Sequence, residues 1–130
     1  MKRVLSLIMV FAMIVSFLPP MTLAAAETQT LYLKPNSNWV KDGAAFAAYF
    51  FGNGETWVDA TAIDGGYYEV TVPSGYTKVI FCRMNPATTD NNWSNKWNQT
   101  EDLVIPTDGK NHFTVKEGAW DKGGGTWSVK

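Results

Sequence analysis

The stretch YYEVTVPSGYTKVIFCR, residues 67–83, decides the fold class of this chain. In its first half, Tyr68, Val70 and Val72 alternate with polar neighbours, which is the period of a β-strand with one buried face. Pro73-Ser74-Gly75 follows, and proline and glycine supply the backbone angles that a tight turn requires. A second apolar run begins directly after this turn and predicts another strand.

Short strands with the same turn signals are predicted on both sides of this stretch. They are Leu31–Leu33, Phe46–Phe51, one that opens at Trp57-Val58, Leu103–Ile105, Phe113–Val115 and Thr126–Val129. Gly123-Gly124-Gly125 could be a linker, but Trp127 beyond it would then have nothing to pack on. We therefore interpret the three glycines as a bulge or wide turn before the last strand. About eight short strands, with no stretch of useful helical periodicity, predict an all-β fold, a two-layer antiparallel β-sandwich.

The first 26 residues have the three-part pattern of a secretory signal peptide. Met1–Arg3 is basic, the run 4–18 is apolar, and residues 22–26 are small enough for a signal peptidase. A membrane anchor is the alternative, but Pro19-Pro20 interrupts the apolar run where a spanning helix would have to continue. We therefore expect cleavage of this segment, a secreted protein, and one domain formed by residues 27–130.

Charge and reactive side chains exclude several classes of function. The formal net charge of −1 gives no basic surface for nucleic acid or for an anionic membrane. Cys82, the only cysteine, lies among apolar residues, so we expect a buried thiol. His112 is the only histidine, is expected at the surface, and leaves no second histidine for a zinc site. The carboxylates lie in hydrophilic segments, whereas a catalytic acid needs an apolar environment to raise its pKa. We expect no catalytic activity, no metal and no cofactor.

Aromatic residues are what this chain has in excess. All six tryptophans and all five tyrosines follow the predicted signal peptide. Indole and phenol rings bind sugars because one face of a pyranose is rich in C–H groups and stacks on their electron-rich faces. Part of the aromatic set is expected to form the core: Trp39, Trp120 and Trp127 close the sandwich, and Tyr68, Phe81 and Phe113 point inward.

Segment 88–102 does not fit a core role, because Trp93 and Trp97 are its only apolar side chains. Two indoles in so polar a segment either fold back as anchors or stand exposed as a binding surface. Side-chain amides can donate to and accept from sugar hydroxyls, which favours binding. The amides that favour binding here are those of Asn92, Asn95, Asn98 and Gln99.

Several motifs follow one another in a recognisable order: Leu31–Pro35, Trp39, Phe46–Phe51 with Trp57, Tyr68–Pro73, Val79–Pro86 and the Asn-Trp segment after it. Together they resemble a starch-binding carbohydrate-binding module of family 26, from about residue 31 to the end of the chain. The resemblance implies an immunoglobulin-like β-sandwich that binds malto-oligosaccharides through a shallow platform of aromatic rings. As partners it implies an amylase or a cell-surface starch-binding system.

The resemblance also implies site residues. Family members stack the ligand on one aromatic residue of an early strand and on a second aromatic residue of the loop that follows this strand. In this chain, Tyr49 and Trp57 occupy these two places. Related starch-binding families add an aromatic residue from an Asn-rich loop, which would be Trp93 or Trp97 with Asn95 beside it. The early strand departs from the family because it lacks the polar residue that relatives often have there, so hydrogen bonds to a ligand must come from elsewhere.

Strand alternation indicates which side of the early strand would carry the site. It places Tyr49 and Phe51 on the face opposite to Phe46, Ala48 and Phe50. If the latter three face the core, Tyr49 is directed outward. Phe51 is either a further aromatic residue that stacks on the ligand or a residue of the core.

We therefore expect a monomeric, secreted, non-catalytic module that binds starch, malto-oligosaccharides or a related α-1,4-glucan. Two alternatives stay open. One is binding of another polysaccharide, such as a β-glucan or a cell-wall glycan, and the other is a structural cell-surface domain whose loop tryptophans are anchors. Residue types do not decide between glycans, since shallow aromatic surfaces differ in the angle between their rings.

Overall fold

The structure is a computed structural model that describes residues 28–130, so the signal-peptide prediction for residues 1–26 lies outside the described residues. Its ten strands are β1 Gln29–Lys34, β2 Ala45–Phe51, β3 Glu55–Asp59, β4 Thr61–Ile63, β5 Tyr67–Val72, β6 Lys78–Met84, β7 Lys96–Gln99, β8 Leu103–Val104, β9 His112–Val115 and β10 Gly125–Ser128. One 3-10 turn, Lys41–Gly43, lies between β1 and β2.

The strands form two sheets. Sheet A has the order β10-β9-β1-β5-β4, and sheet B has the order β3-β2-β6-β7, with β8 also pairing with β6. Every pairing of these strands is antiparallel except that of β1 with β9, which is parallel. The prediction of an all-β, largely antiparallel sandwich is confirmed.

The core lies between the inner faces of the two sheets. Phe81 of β6 stacks on Phe113 of β9 with ring centroids 5.7 Å apart, and Phe46 of β2 meets Tyr68 of β5 at 4.5 Å. These contacts join sheet B to sheet A, as inward-pointing rings were predicted to do. The largest fully buried side chains are Trp39, Phe50, Phe81, Phe113, Leu31 and Leu33.

The two central strands of sheet B, β2 and β6, are apolar on both faces. Besides the inner core, a second apolar cluster lies on the outer face and consists of Ala47, Ile80, Cys82 and Met84. Burial raises the pKa of the Cys82 thiol to about 12, so this cysteine is an inert, buried side chain as predicted. The apolar outer face of sheet B is the surface on which the candidate site is built.

Two of the ten strands were not predicted. β4 is three residues long and pairs only with β5. β7 lies in the segment interpreted as a polar loop, and it is a strand because β6 offers it a free edge, where Arg83 pairs with Asn98. An edge strand is solvated on its unpaired side, so its polar side chains do not prevent pairing.

The prediction that Trp120 closes the sandwich is wrong, because its side chain is 44% exposed. Trp39 is buried instead, and its indole N–H donates to the backbone carbonyl of Trp120 at 2.9 Å. The core therefore meets the backbone of Trp120 and not its ring. Trp127 does close the core, with its ring 5.1 Å from that of Phe113.

The predicted last strand is present as β10, which begins at Gly125, and Gly123 forms an isolated parallel bridge with Thr100, so the bulge or wide turn expected at these glycines stays a prediction. A Cβ atom at Gly125 would lie 2.0 Å from the carbonyl oxygen of Thr114 on β9. Only glycine therefore allows β10 to approach β9 this closely.

Candidate functional site

Three aromatic side chains meet on the outer face of sheet B. Tyr49 of β2 is paired with Trp57 of β3, and their ring centroids are 5.1 Å apart. Both side chains pack on the outer apolar cluster of β2 and β6. Trp93, from the loop between β6 and β7, lies 4.7 Å from Tyr49 and 4.8 Å from Trp57. We refer to Tyr49, Trp57 and Trp93 as the aromatic platform.

The loop that carries Trp93, residues 85–95, is held together by its own amides. Asn95 Nδ2 donates to the carbonyl oxygens of Asn85 and Asp90, both at 3.0 Å. These two hydrogen bonds span the loop from its first residue to its middle. They fix the backbone from which Trp93 projects.

A second tie joins this loop to β3. Asn91 Nδ2 donates to Asp59 Oδ1 at 2.6 Å. In the chain, Asn91 lies two residues before Trp93, and Asp59 lies two residues after Trp57. Both residues also line a shallow depression of about 390 Å³, together with Thr88 and Thr89. Hydroxyl, amide and carboxylate groups therefore flank the platform on this side.

The platform is an open surface. The side chain of Trp93 is 43% exposed, while Tyr49 and Trp57 are half-buried. Its rings are inclined to one another by 57° for Tyr49 with Trp57, 61° for Tyr49 with Trp93 and 65° for Trp57 with Trp93. The three rings therefore do not share a plane.

A hydrogen bond orients the phenol of Tyr49, which donates to the carboxylate oxygen Oε2 of Glu55. That hydrogen bond, then loss of hydration, and then the negative charge of Glu55 raise the pKa of Tyr49 to about 12. The phenol is therefore neutral at ordinary pH, and its ring keeps one orientation on the sheet.

We expect the Tyr49 phenol to titrate near pH 12, well above an ordinary tyrosine at about pH 10. Because the folded state favours the neutral phenol, this group stabilises the fold fully below about pH 10, and that contribution is lost as the pH rises towards about 12. An ultraviolet titration of tyrosinate would show one late group, which Tyr49→Phe should remove and Glu55→Gln should shift down. A titration in which Tyr49→Phe removes a group of ordinary pKa would contradict this prediction.

Phe51 and two lysines extend the platform at its margins. Phe51 stacks on Tyr49 at 5.6 Å with an interplanar angle of 27°, so it belongs to the outer face and not to the inner core. Lys78 Nζ lies 5.8 Å from the Phe51 ring, and Lys96 Nζ lies 5.5 Å from the Trp93 ring. The ammonium groups can donate to the hydroxyl groups of a bound sugar.

Three of the five residues predicted to bind the ligand form the platform, and the other two do not. Of the two loop tryptophans, Trp93 lies with Tyr49 and Trp57, whereas Trp97 lies on the guanidinium of Arg83, 4.7 Å from its Cζ. Asn95 is next to the platform in sequence, but both of its amide hydrogens are used inside the loop. The structure thus gives Asn95 a positioning role, and direct contact of Asn95 or Trp97 with a ligand stays a prediction.

Sequence reasoning missed the pair Asn91 and Asp59. Asn91 lies in the polar segment and had the same signal as its neighbours, an amide close to an indole. Asp59 has no sequence signal for a site, because it is separated from Asn91 by 32 positions. Only the position of β3 beside the loop brings the two together.

Side chains that could hold a metal ion do not cluster in the described part of the chain. Within residues 28–130, no three His, Cys, Asp or Glu side chains are placed to hold a metal ion. His112 lies in β9 of the other sheet, within hydrogen-bonding distance of Ser128 Oγ at 3.0 Å. Burial, followed by the charges of Lys130 and Lys34, lowers the pKa of His112. What the platform offers a ligand is ring faces and hydrogen-bonding groups.

Comparison with known proteins assigns no family to this chain. No protein-family model matches it, and no curated protein matches it. The part of the chain that the structure describes has no helix long and apolar enough to cross a membrane. The resemblance to starch-binding modules therefore stays a prediction.

Proposed function

We propose that this domain is a non-catalytic carbohydrate-binding module, that its ligand is starch or another α-1,4-glucan, and that the aromatic platform is its binding surface. The observation that carries the proposal is the mutual contact of three aromatic rings on an open sheet face, with Trp93 43% exposed. An exposed apolar surface with a polar rim is typical of a site of interaction.

The chemistry of the platform suits a sugar chain. Ring faces of indole and phenol attract the C–H-rich face of a pyranose. The rim supplies the carboxylates of Asp59 and Glu55, the amide of Asn91 and the ammonium group of Lys96, all near the rings. These groups can accept from and donate to sugar hydroxyls. Because both signs of charge are present, the rim favours an uncharged glycan.

The inclination of the rings favours an α-glucan over a β-glucan. Chains of α-1,4-linked glucose coil, whereas β-1,4-linked chains extend as flat ribbons that stack best on coplanar rings. The platform rings are inclined by 57° to 65°, so two of them present a curved surface. A coiled chain can follow that curve, and a flat ribbon would lose contact with one ring.

A module of this kind would act in a secreted amylolytic system by keeping its partner on the polysaccharide. Attachment raises the effective concentration of any linked or associated enzyme at the substrate. This role needs no bond-breaking chemistry from the module. A site that consists of aromatic rings with a polar rim suits such a role.

Calorimetry with maltoheptaose tests the proposed function. An open site with two or three stacking rings is expected to bind it with a dissociation constant between about 1 µM and 1 mM, or roughly −8 to −4 kcal/mol. Cellohexaose and xylan are the comparison ligands. Absence of binding to both maltoheptaose and soluble starch would remove the α-glucan proposal, and preference for cellohexaose would replace it with a β-glucan.

Trp57→Ala and Trp93→Ala are each expected to weaken binding of maltoheptaose by about 1–3 kcal/mol, by analogy with aromatic stacking on nucleobases. Their melting temperatures should stay near that of the parent protein, since both rings lie outside the inner core. Tyr32→Ala is the matched control, because Tyr32 is a half-exposed aromatic residue of sheet A, on the opposite side of the sandwich. If both tryptophan variants bind like the parent and like this control, the platform is not the binding surface.

A further inference from the structure

A buried guanidinium lies at the edge of sheet B where β6 meets β7. Arg83 is 4% exposed and donates four hydrogen bonds within the protein. Nε donates to Trp39 O at 2.8 Å, Nη1 to Asn98 Oδ1 at 3.2 Å, and Nη2 to Lys41 O at 2.7 Å and to Asp42 Oδ2 at 3.0 Å. With these donors engaged, Arg83 is a rigid support and not a group that a ligand reaches.

Two exposed indoles rest on this guanidinium. Arg83 Cζ lies 4.7 Å from the ring centroid of Trp97 and 5.5 Å from that of Trp120. Contact between a cation and an aromatic ring is stronger where the cation is removed from water, so both rings are held in place. Even so, Trp97 is 38% exposed and Trp120 is 44% exposed. The protein thus fixes two large apolar rings and leaves much of their surface in water.

The backbone that presents Trp120 is also fixed. Its carbonyl oxygen accepts from Trp39 Nε1 at 2.9 Å, and the preceding carbonyl, of Ala119, accepts from Asn36 Nδ2 at 2.7 Å. On the other side, Gln99 N donates to Asp121 Oδ1 at 3.0 Å, which ties the segment to β7. A ring held in this way loses little further freedom when a ligand binds, so the cost of ordering it has already been met by folding.

This pair of rings is separate from the aromatic platform. In the described part of the chain, neither Trp97 nor Trp120 makes a ring contact with a platform residue. The pairing of β6 with β7 shifts register between Arg83 and Met84, and such an irregularity redirects neighbouring side chains. Trp97 therefore lies on Arg83, whereas Trp93 lies on Tyr49 and Trp57.

We propose that Trp97 and Trp120 form a second glycan-binding surface on this domain. Lys41 Nζ lies 5.6 Å from the Trp120 ring, and Asn98 and Asp121 lie beside the two indoles in the chain. A cation, an amide and a carboxylate around two indole rings match the chemistry of the platform and favour the same class of ligand, an uncharged chain of hexopyranoses. This inference rests on the proposed function and adds to it a second point of contact.

Two binding surfaces on one small domain change how it binds a polymer. After one surface has bound, the other meets a further segment of the same chain, or a neighbouring chain, at high effective concentration. A short oligosaccharide gains nothing from this effect, because each molecule occupies one surface. Retention on starch should therefore depend on both surfaces, whereas the affinity for a short oligosaccharide at the platform should depend on only one.

Calorimetry of the full chain with maltoheptaose, beside the variants Trp120→Ala, Trp97→Ala and Trp57→Ala, tests the inference. The parent is expected to bind two molecules per chain, and each single variant is expected to bind one. Retention in gels that contain starch should fall at least tenfold for Trp120→Ala, although this variant keeps the platform affinity for maltoheptaose. In the Trp57→Ala protein, the indole N–H resonances of Trp97 and Trp120 should still shift as maltoheptaose is added.

The possible failures are distinct. If no glycan binds the parent, the proposed function fails and this inference fails with it. If the parent binds one maltoheptaose through the platform, and Trp120→Ala and Trp97→Ala retain both stoichiometry and starch retention, only the second surface is overturned. Sedimentation of Trp120→Ala checks a further outcome: conversion of a parent dimer to a monomer would make the two rings a contact between copies and would overturn the inference. Preserved platform binding in Trp120→Ala and Trp97→Ala shows that these two variants are folded, and shifts of the Trp97 and Trp120 resonances show the same for Trp57→Ala.

Discussion

Replacing Trp39 with alanine is expected to lower the free energy of unfolding by about 3–5 kcal/mol. The Trp39 side chain is 1% exposed, and its ring stacks on Phe46 with centroids 6.2 Å apart. Alanine would leave a cavity in the core and would leave the Trp120 carbonyl without the indole donor that it now has. Urea unfolding followed by circular dichroism measures the change.

Trp93→Ala is the matched control, because it removes the same side chain from the surface. We expect its free energy of unfolding to lie within about 1 kcal/mol of the parent value. The two variants should therefore separate folding from binding: the first loses stability, and the second loses affinity for the glycan. Similar losses of stability in both variants would contradict the assignment of Trp39 to the core and of Trp93 to the surface.

Replacing Arg83 with methionine is expected to lower the free energy of unfolding by about 2–4 kcal/mol. Methionine fills much of the same volume, but the buried carbonyl oxygen of Trp39 loses its donor, and the part-buried carbonyl oxygen of Lys41 keeps only a long hydrogen bond from Ala44 N at 3.4 Å. Each unpaired buried acceptor costs about 1–3 kcal/mol. Arg83→Lys should restore little of this loss, since an ammonium group does not reproduce the planar arrangement of guanidinium donors. Chemical unfolding of the two variants gives the comparison.

Asp42→Asn shows whether the ion pair or the carbonyl hydrogen bonds matter at Arg83. The side chain of Asp42 is 69% exposed, so its contact with Arg83 at 3.0 Å is screened by water. Exposed ion pairs contribute at most about 1 kcal/mol, and we expect a change of that size or less. A larger loss in Asp42→Asn than in Arg83→Met would show that the ion pair, and not the buried hydrogen bonds, holds this part of the sandwich.

Much of the fold could be predicted from local patterns. Tyr68, Val70 and Val72 point to the core because a strand with a period of two has only two faces, and the turn at 73–75 carries its own proline and glycine. β7 was missed because three of its four side chains are polar and its existence depends on a partner. The free edge of β6 supplies that partner, and no pattern within residues 96–99 records it.

The candidate site was predicted in part. Alternation placed Tyr49 outward, and the resemblance added Trp57, and the structure brings the two rings together. The choice between Trp93 and Trp97 was left open, because both indoles lie in the same polar segment. A shift of register at the β6–β7 pairing separates them, so that Trp97 lies on Arg83 instead.

Trp120 was misassigned for a related reason. Its neighbours in the chain, Ala119 and Asp121, are small or polar, like the neighbours of Trp93. An indole among such residues can be exposed, and this pattern applies to Trp120 as it does to Trp93. The position of Trp120 next to a turn or strand end, shared with Trp39 and Trp127, predicts that it closes the core. The closing role belongs to Trp39, whose N–H group meets the backbone of Trp120 and leaves the Trp120 ring outside.

The sequence by itself determined that the chain folds as β-strands and turns, which side of most strands faces the core, and that it has more aromatic rings than a core of this size uses. These properties follow from side-chain period and turn chemistry, which act over a few neighbouring residues. Only the tertiary structure decided which rings meet and at what angle. The contacts of Tyr49 with Trp93 and of Asn91 with Asp59 join residues far apart in the chain, and their geometry is set by strand pairing and register.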